Sequence, residues 1–500
     1  MKLPTLLTAL ALLFVASPAR GADAPSARPN IVVFVSDDHG QDAGCYGNKV
    51  IKTPNIDALA ADGVLYRNAF CTTASCSASR SVILTGLHNH LTGQYGHGHS
   101  YHHFQSFASL YTLPAILSDN GYRTARIGKF HVAPDSVYKF EQVLPSAGGN
   151  RNGVAMADNC KPFVAKSDKP FFLYFCVSDP HRSAGVMKGK PGEPNAFGSE
   201  KPYPGVTEAV YDPKDVVIPS WLPDNAATRG EWAMYYQAVT RLDQGVGRLV
   251  QVLKDAGQWD NTVFVYMADN GAAMPGSKTT LYDPGMKLPL VVRTPWLKER
   301  GVARDAMVSW VDITPTVLDF AGVTDVKAPP LVQGDPGDDG PRNPKAAERA
   351  KQKVPYTFHG RSFRGTLDAD PKEGWDRVYA SHQFHEITMY YPMRVLRTDR
   401  YKLIYNIANP LPFPFASDIY ESATWQSALK DGGSVFGKRR IADFVQRPKF
   451  ELYDLQADPD EVHNLAADPA QKERLDKMVA ELKTFQKDTR DPWILKHVYE

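Results

Sequence analysis

Apolar residues are concentrated in a few uninterrupted runs, at residues 30–35, 171–177, 262–267 and 288–293. Runs of this length that are rich in Val, Ile and Phe favour strands buried on both faces. The first three runs each lead directly into a polar turn, at residues 36–40, 178–181 and 268–271. The pattern therefore predicts buried strands whose carboxyl ends carry acidic residues or a histidine.

Between these runs, apolar positions recur at helical spacing over residues 53–62, 113–120 and 229–256. Gly121 and Gly257 follow the last two segments, as is typical where a helix ends. Alternating strands and helices predict an α/β fold, with a large, mostly parallel sheet covered by helices on both faces. Because ligands bind beyond the carboxyl ends of such strands, the polar turns mark the expected active site.

The pattern changes after residue 326. Residues 327–353 are rich in Pro, Gly, Asp and Lys, which predicts a flexible insertion or linker. Shorter strand-like segments follow at residues 377–381, 393–396, 401–406 and 449–455, and a helical pattern spans residues 470–487. We therefore predict a catalytic domain over residues 24–326 and a smaller C-terminal α+β domain over residues 354–500, built from an antiparallel sheet and a helix.

The first 23 residues predict an export signal. Lys2 supplies a positive charge, residues 6–16 form an apolar run too short to cross a bilayer, and small residues between Ala19 and Ala24 suit cleavage. No other stretch of the sequence is long and apolar enough to span a membrane. We expect a mature chain without a membrane span that is exported, to the periplasm or fully outside the cell.

The overall charge and the cysteine spacing argue against nucleic-acid-binding and zinc-binding classes of protein. The formal net charge of +2 gives no general reason to expect a nucleic-acid partner or a polybasic membrane surface. The five cysteines have no zinc-binding spacing. Cys45 and Cys176 lie in or beside apolar segments and are predicted to be buried thiols, whereas Cys76 lies in a polar setting.

The segment from Cys71 to Gly86 predicts a short helix, from about residue 78 to residue 84, that begins just after Cys76. The amino end of a helix has free N–H groups and a partial positive charge, so it favours anions. Arg80 follows Cys76 at helical spacing, and its guanidinium suits a tetrahedral oxyanion. The alternative is a buried cysteine before an ordinary helix.

The string Cys76-Ser-Ala-Ser-Arg80, followed by an apolar pair and Thr-Gly, resembles the signature of the sulfatase family. In that family the cysteine is oxidised after synthesis to formylglycine, an aldehyde whose hydrate is the nucleophile. The resemblance therefore implies formylglycine at position 76 and a maturation enzyme as partner. Ala78 stands where proline is commoner, which leaves open which maturation enzyme acts.

Further strings resemble the sulfamidase branch of that family, the heparan N-sulfatases. They include His-Glu-Ile-Thr-Met at residues 385–389 and Tyr-Pro-Met-Arg at residues 391–394, and the resemblance extends over residues 28–493. It implies an alkaline-phosphatase-like catalytic fold, a sulfated, glucosamine-containing saccharide as substrate, and a possible homodimer.

Four hard oxygen ligands lie at predicted strand ends: Asp37, Asp38, Asp269 and Asn270. Such ligands suit Ca²⁺ or Mg²⁺ rather than a soft metal. The alternative is that Asp37 caps a turn and that residues 269–271 form a left-handed turn. The resemblance implies one Ca²⁺, whose ligands the oxidised Cys76 side chain completes.

The resemblance also implies the catalytic roles. The general acid for the leaving atom is expected to be His181, and the base that regenerates the aldehyde is expected to be His131. Three cations would neutralise the sulfate oxygens: Arg80, Lys129 and Lys278. Taken alone, each lysine could be a solvated surface charge and each histidine a structural residue.

Four residues are predicted to contact the sugar: Asp179, His385, Glu386 and Arg394. Asp179 could instead orient His181, and the other three could instead pack at a domain interface. The dense histidines at positions 97, 99, 102 and 103 could hold a metal, but we interpret them as a loop near the mouth of the pocket.

Four functions stay open from the sequence. The first is hydrolysis of the N-sulfate on non-reducing-end glucosamine of heparan sulfate or heparin fragments. The others are an O-sulfatase on glycan or aryl sulfates, a phosphonate or phosphodiester hydrolase, and, if Cys76 is never oxidised, a non-catalytic glycan-binding protein.

Overall fold

A computed structural model describes residues 28–165, 168–183, 194–332, 353–430 and 432–495. The predicted export signal lies outside these residues, as do most of the predicted linker, residues 333–352, and residues 496–500. Within the described ranges, no helix combines the length and apolarity that crossing a bilayer requires.

Most of the strands are short, and the longest fully buried ones lie at the centre of the large sheet. In chain order they are β1 (Asn30–Ser36), β2 (Val64–Tyr66), β3 (Ala69–Phe70), β4 (Arg123–Gly128), β5 (Gln142–Val143), β6 (Phe171–Cys176), β7 (Thr262–Ala268), β8 (Lys287–Leu288), β9 (Leu290–Arg293), β10 (Val302–Arg304), β11 (Val308–Ser309), β12 (Leu331–Val332), β13 (Lys353–Val354), β14 (Arg377–His382), β15 (Met393–Thr398), β16 (Tyr401–Asn406), β17 (Val435–Phe436), β18 (Arg439–Arg440) and β19 (Phe450–Asp454).

The large sheet has the strand order β10-β2-β9-β7-β1-β6-β4-β5. β1 lies at its centre and pairs in parallel with β6 on one side and β7 on the other. β1, β6 and β7 are buried along their whole length, as their continuous apolar runs predict. Within the described residues β9 alone runs antiparallel to its neighbours, so the sheet is mostly parallel, as predicted.

The predicted single strand over residues 288–293 is wrong. Pro289 divides it into β8, which pairs with β3 in a separate small sheet, and β9, which belongs to the large sheet. Proline has no backbone N–H, so it cannot donate a hydrogen bond to a neighbouring strand. The chain therefore changes sheets at this residue.

The helices lie between these strands and after them. They are α1 (Pro54–Ala61), α2 (Cys76–Thr85), α3 (Asn89–Thr92), α4 (Leu113–Asp119), α5 (Gly153–Asn159), α6 (Lys161–Val164), α7 (Ala226–Asp255), α8 (Asp283–Met286), α9 (Ile313–Phe320), α10 (Ser417–Tyr420), α11 (Ala423–Lys430), α12 (Ile441–Val445) and α13 (Lys472–Asp488).

Two of the predicted helices begin earlier than the apolar pattern indicates. α7 starts at Ala226 because the Asn225 side chain accepts a hydrogen bond from the Thr228 N–H at 3.0 Å. α2 starts at Cys76 itself and ends at Thr85, before Gly86, whose φ of 66° is in the left-handed region. Cys76 is thus the first residue of its helix.

A second, antiparallel sheet has the order β14-β15-β16-β19 and is covered by α13. Side chains on its strands alternate between two faces. Leu396 and Leu403 pack against Leu482 of α13, whereas Val395 and Ile404 belong to the same core cluster as the large sheet. The smaller sheet therefore shares a core with the catalytic part of the chain, and the predicted fold class is confirmed.

The ends of the predicted linker pair with each other. β12 and β13 form a short antiparallel ladder across residues 331–332 and 353–354. The exact domain boundaries at residues 326 and 354 stay a prediction.

Candidate active site

The carboxyl ends of four neighbouring strands meet at one edge of the large sheet. These strands lie in the order β4, β6, β1, β7 and run parallel. The predicted residues follow the strands directly: Lys129 after β4, Asp179 and His181 after β6, Asp37 and Asp38 after β1, and Asp269 and Asn270 after β7. The parallel topology thus brings together residues that are distant in the sequence.

Three carboxylates are completely buried at this edge. Asp37, Asp38 and Asp269 are 0% exposed, and Cys76 Sγ lies 3.6 Å from Asp38 Oδ1. Ligand atoms of Asp37, Cys76 and Asp269 lie within 4.8 Å of one another. Burial, and then the charges of Asp37 and Asp38, raise the pKa of Asp269 to about 7, although Arg80 opposes them. A cation among these carboxylates would remove that repulsion.

The environment of Asn270 also supports a cation at this position. Its Nδ2 donates to Asp38 Oδ1 at 2.7 Å, while its Oδ1 is buried and, among the described residues, has no hydrogen-bond partner. A buried carbonyl oxygen without a partner is costly unless something else binds it. Carboxylate and amide oxygens around one point fit a hard divalent cation.

Cys76 is fully buried at the start of α2. Burial raises the pKa of its thiol well above the usual range, and the nearby Asp38 and Asp37 add to the effect, although Lys129 opposes it. A thiol with a raised pKa is a poor nucleophile, because the thiolate is the reactive form. Unmodified Cys76 therefore does not have the environment of a reactive cysteine.

Three cations surround the carboxylates. Arg80 Nε lies 2.9 Å from Asp269 Oδ2, and its Nη1 donates to the Lys129 carbonyl at 2.8 Å. Lys129 pairs with Asp37, and Lys278 Nζ lies 2.9 Å from Asp38 Oδ2. These are the three cations that the sequence predicts around the sulfate.

His181 lies beside Lys278. Its Nδ1 donates to the Arg182 carbonyl at 2.6 Å, which leaves Nε2 facing Lys278 Nζ at 3.2 Å and Asp38 Oδ2 at 3.6 Å. Burial, followed by the charges of Lys278 and Lys129, lowers the pKa of His181 to about 4. An anion bound among these cations would act in the opposite direction and favour the protonated imidazole.

His131 packs against two other histidine rings, which also contact each other. Its ring centroid lies 4.7 Å from that of His97 and 4.6 Å from that of His99. Both of its ring nitrogens are buried and, within the described part of the chain, lack a hydrogen-bond partner. Burial lowers its pKa well below the usual range, so the ring is neutral.

The structure brings part of the predicted histidine loop into the site. Nitrogens of His97, His99 and His131 lie within 4.8 Å of one another, so these three could hold a metal. His102 Nδ1 instead accepts a hydrogen bond from the Ile387 N–H at 3.1 Å, and His103 is exposed. The loop thus lies beside the site and also contacts the C-terminal part of the chain.

Two of the residues predicted to contact the sugar have structural roles instead. Asp179 is fully buried and pairs with Arg151 at 2.6 Å and Arg241 at 2.6 Å, so neither carboxylate oxygen is free for a ligand or for the His181 ring. Arg394 is 0% exposed and is held by Asp491 at 2.5 and 2.6 Å. We therefore correct both predictions: each residue is part of an internal ion pair.

The other two residues predicted to contact the sugar, His385 and Glu386, hold parts of the site in place. His385 Nδ1 lies 2.9 Å from Ser75 Oγ, just before α2, and its Nε2 lies 3.0 Å from His97 Nε2. Glu386 accepts hydrogen bonds from the Ser417 N–H and hydroxyl, at 3.1 and 2.7 Å, and so fixes the start of α10.

Sequence reasoning missed Asp418. This residue of α10 places Oδ2 3.0 Å from Lys278 Nζ. Asp418 lies outside every matched string, and a single acidic residue in a short polar helix carries no signal of its own. Only the packing of the C-terminal part against the site could locate it.

Comparison with known proteins assigns the chain to a family. The family model described as Sulfatase matches residues 29–323. The chain belongs to the sulfatase family. It is 36% identical over 483 residues to a human N-sulphoglucosamine sulphohydrolase, covering 94% of this chain and 92% of that protein. The predicted family is therefore confirmed, and the protein is a sulfatase.

Solved structures with this fold cover nearly the whole sulfatase. One, determined in complex with its substrate D-glucosamine-2-N,6-O-disulfate, has a TM-score of 0.61 and 20% identity over 93% of this chain and 98% of its own. Another is a phosphonate monoester hydrolase of Agrobacterium radiobacter, with a TM-score of 0.62 and 18% identity over 92% and 96% of the two chains. These similarities show the fold.

Proposed function

We propose that this sulfatase removes the N-linked sulfate from non-reducing-end N-sulfoglucosamine of heparan sulfate or heparin fragments. The observation that carries the proposal is the 36% identity, over nearly the full length of both chains, to a human protein named for that reaction. The two predicted strings specific to sulfamidases lie in the C-terminal part, and the contacts of His385 with Ser75 and His97 support a role for this part near the site.

We propose in addition that Cys76 is oxidised to formylglycine and that Asp37, Asp38, Asp269 and Asn270 hold a Ca²⁺. Sulfatases generally use formylglycine and a divalent metal. The buried carboxylates support such a site, as does Asn270 Oδ1, which has no partner among the residues that the structure describes. Formylglycine would supply the nucleophilic oxygen, and the metal would lower the pKa of that hydroxyl and polarise the sulfate.

The remaining residues would act on the substrate directly. Arg80, Lys129 and Lys278 converge from three elements and would bind the sulfate oxygens, where negative charge shifts during the reaction. His181 Nε2 would give a proton to the leaving nitrogen. His131, whose ring nitrogens have no hydrogen-bond partner in the described part of the chain, would take up the proton released when sulfate departs.

The test compares three substrates with purified enzyme: N-sulfoglucosamine, glucosamine 6-O-sulfate and a phosphonate monoester. The proposal expects sulfate release from the first with a kcat/KM at least ~100-fold above the others, the discrimination that buried polar recognition can supply. Turnover of the O-sulfate or the phosphonate without release from N-sulfoglucosamine would overturn it in favour of the corresponding alternative.

Peptide mass spectrometry tests the modification. Conversion of the Cys76 thiol to an aldehyde lowers the mass of its peptide by about 18 Da. Active enzyme whose Cys76 peptide is entirely unmodified would contradict the proposed nucleophile. The same preparation shows whether the first 23 residues are removed, as the proposed export to the periplasm or medium requires, and size-exclusion chromatography tests the possible homodimer.

A further inference from the structure

Asp418 reaches the active site from the C-terminal part of the sulfatase. Its Oδ2 lies 3.0 Å from Lys278 Nζ, and its side chain is 17% exposed. Its Oδ1 is buried and has no hydrogen-bond partner among the residues that the structure describes. Lys278 holds the pKa of Asp418 below its usual value against the effect of burial, so the group is a carboxylate. Within the described residues, one of its two oxygens therefore lacks the hydrogen-bond donor that a buried acceptor needs.

The position of Asp418 is well defined. Glu386 binds Ser417 at the start of α10, and Ile419 packs with Ala273 and Met389 in a small apolar cluster. Ala273 follows closely on the turn that carries Asp269 and Asn270. These contacts join α10 to the active-site turn, so the Asp418 carboxylate is fixed relative to the reacting groups.

Asp418 lies on the side of the site where the leaving group is expected. Lys278 Nζ contacts Asp418 Oδ2 at 3.0 Å and His181 Nε2 at 3.2 Å. His181 is the proposed acid for the leaving atom. Because both groups contact the same ammonium, the Asp418 carboxylate lies close to the proposed acid, and so on the side where the atom linking sulfur to the sugar is expected.

That linking atom differs between the two candidate substrates. The nitrogen of a sulfamate carries an N–H, which is a hydrogen-bond donor, whereas the bridging oxygen of a sulfate ester is an acceptor only. A buried carboxylate oxygen can accept a hydrogen bond from the sulfamate N–H, whereas it repels the bridging oxygen of a sulfate ester. Sites built to bind an N–H discriminate strongly against analogues that lack it, since their own polar group is then left unpaired.

We propose that Asp418 selects N-linked over O-linked sulfate by accepting, on Oδ1, a hydrogen bond from the N–H of the scissile sulfamate. The inference rests on the proposed function. As sulfur bonds to the nucleophilic oxygen that residue 76 would supply, the S–N bond breaks and its electron pair stays on nitrogen, which takes a proton from His181 and departs as an amine. A further proton from solvent gives the ammonium ion, which the unchanged Asp418 carboxylate binds as a counter-ion.

The test measures kcat/KM for N-sulfoglucosamine and for an aryl O-sulfate with wild-type enzyme and Asp418→Asn. Asparagine keeps the size of the side chain but loses the charge. The ratio of the two kcat/KM values, N-sulfate over O-sulfate, is expected to fall at least ~30-fold. Glu421→Gln is the matched control: it removes a negative charge at the end of the same helix, and its ratio should stay within ~2-fold of wild type.

A second measurement needs no variant. With wild-type enzyme, glucosamine should inhibit competitively at a concentration at least ~10-fold lower than glucose, because only the ammonium pairs with the carboxylate. Equal inhibition by the two sugars, or equal losses on both substrates in Asp418→Asn, overturns the role of Asp418 and leaves the proposed function standing. Wild-type enzyme that cleaves only the O-sulfate overturns both.

Discussion

Buried charge organises the site at the scale of single residues. Three carboxylates and three cations come together around Cys76 where water is excluded, and such groups are stable only when paired or bound to a metal. Two polar atoms of neighbouring residues stay unpaired, since Asn270 Oδ1 and Asp418 Oδ1 both lack a partner among the described residues. Those two atoms are where we expect the cation and the substrate.

Cys76→Ser should abolish sulfate release in a host that cannot oxidise serine. Serine has one hydroxyl, so a sulfate transferred to it has no second hydroxyl to expel it, and the loss of turnover should exceed ~10³-fold. Steady-state assays of sulfate release measure the effect. Cys45→Ser, outside the site, is the control and should keep wild-type kcat; near-wild-type rates in Cys76→Ser would refute the proposed nucleophile.

Removal of divalent cations should lower both activity and stability. A cation that binds the folded site but not the unfolded chain contributes about 2.7 kcal/mol when present at 100 times its Kd. Dialysis against a chelator should therefore reduce the melting temperature and kcat, and Ca²⁺ should restore both. If chelation leaves both unchanged, the carboxylates do not hold an exchangeable cation. Parallel restoration with Mg²⁺ distinguishes the two ions.

At the scale of elements, the site depends on how closely neighbouring strands approach. β4 ends at Gly128, whose φ is 86°, and the next residue, Lys129, donates its N–H to the Cys176 carbonyl of β6 at 2.9 Å. A Cβ at position 128 would lie 1.9 Å from that carbonyl oxygen. Glycine is therefore required for Lys129 to reach Asp37.

Gly128→Ala should reduce both stability and activity. The left-handed backbone alone costs an alanine about 1–2 kcal/mol, and the clash with backbone must move β4 or β6 as well. We expect a loss of at least about 2 kcal/mol in the free energy of unfolding, measured with urea, and a lower kcat because Lys129 shifts. Gly149→Ala is the matched control, with a φ of 84° and open space around its Cβ; it should show the backbone cost without the loss of kcat.

At the scale of the whole molecule, the C-terminal part completes the active site. Its sheet shares a core with the large sheet, and it supplies His385 and Asp418 to the site. A second contact between the C-terminal part and the rest of the chain lies away from the site. There His88 and His90 stack on each other, and His88 also packs against His359 and Phe485 of the C-terminal part. Burial lowers the pKa of His90 to about 4 and of His359 to about 3, and that of His88 well below its usual range.

Acid should weaken this second contact. The folded-state pKa values lie below the ordinary 6.5, so between about pH 6.5 and pH 4 the unfolded chain binds protons that the folded protein cannot. Stability is therefore full above pH 6.5 and falls as the pH decreases, by up to about 1.4 kcal/mol per pH unit for each histidine. Thermal unfolding across this range, with His359→Gln for comparison, measures the slope. The variant should lose stability less steeply; identical slopes would contradict the assignment.

The sequence by itself determined the α/β class, the buried strands, a short helix close after Cys76 and the polar residues that follow the strands, whereas the cation among those residues stays a prediction. These depend on local features: continuous apolar runs, helix caps, and polar turns directly after strands, which a parallel sheet brings to one edge. Only the tertiary structure decided the rest. Asp179 and Arg394 form internal ion pairs, which the sequence could not reveal because the partner residues lie far away along the chain. Asp418 was found only because α10 packs against Lys278 in the folded protein. Pairing between distant elements depends on three-dimensional packing, and such packing produces no hydrophobic periodicity or motif spacing that can be recognised in the sequence.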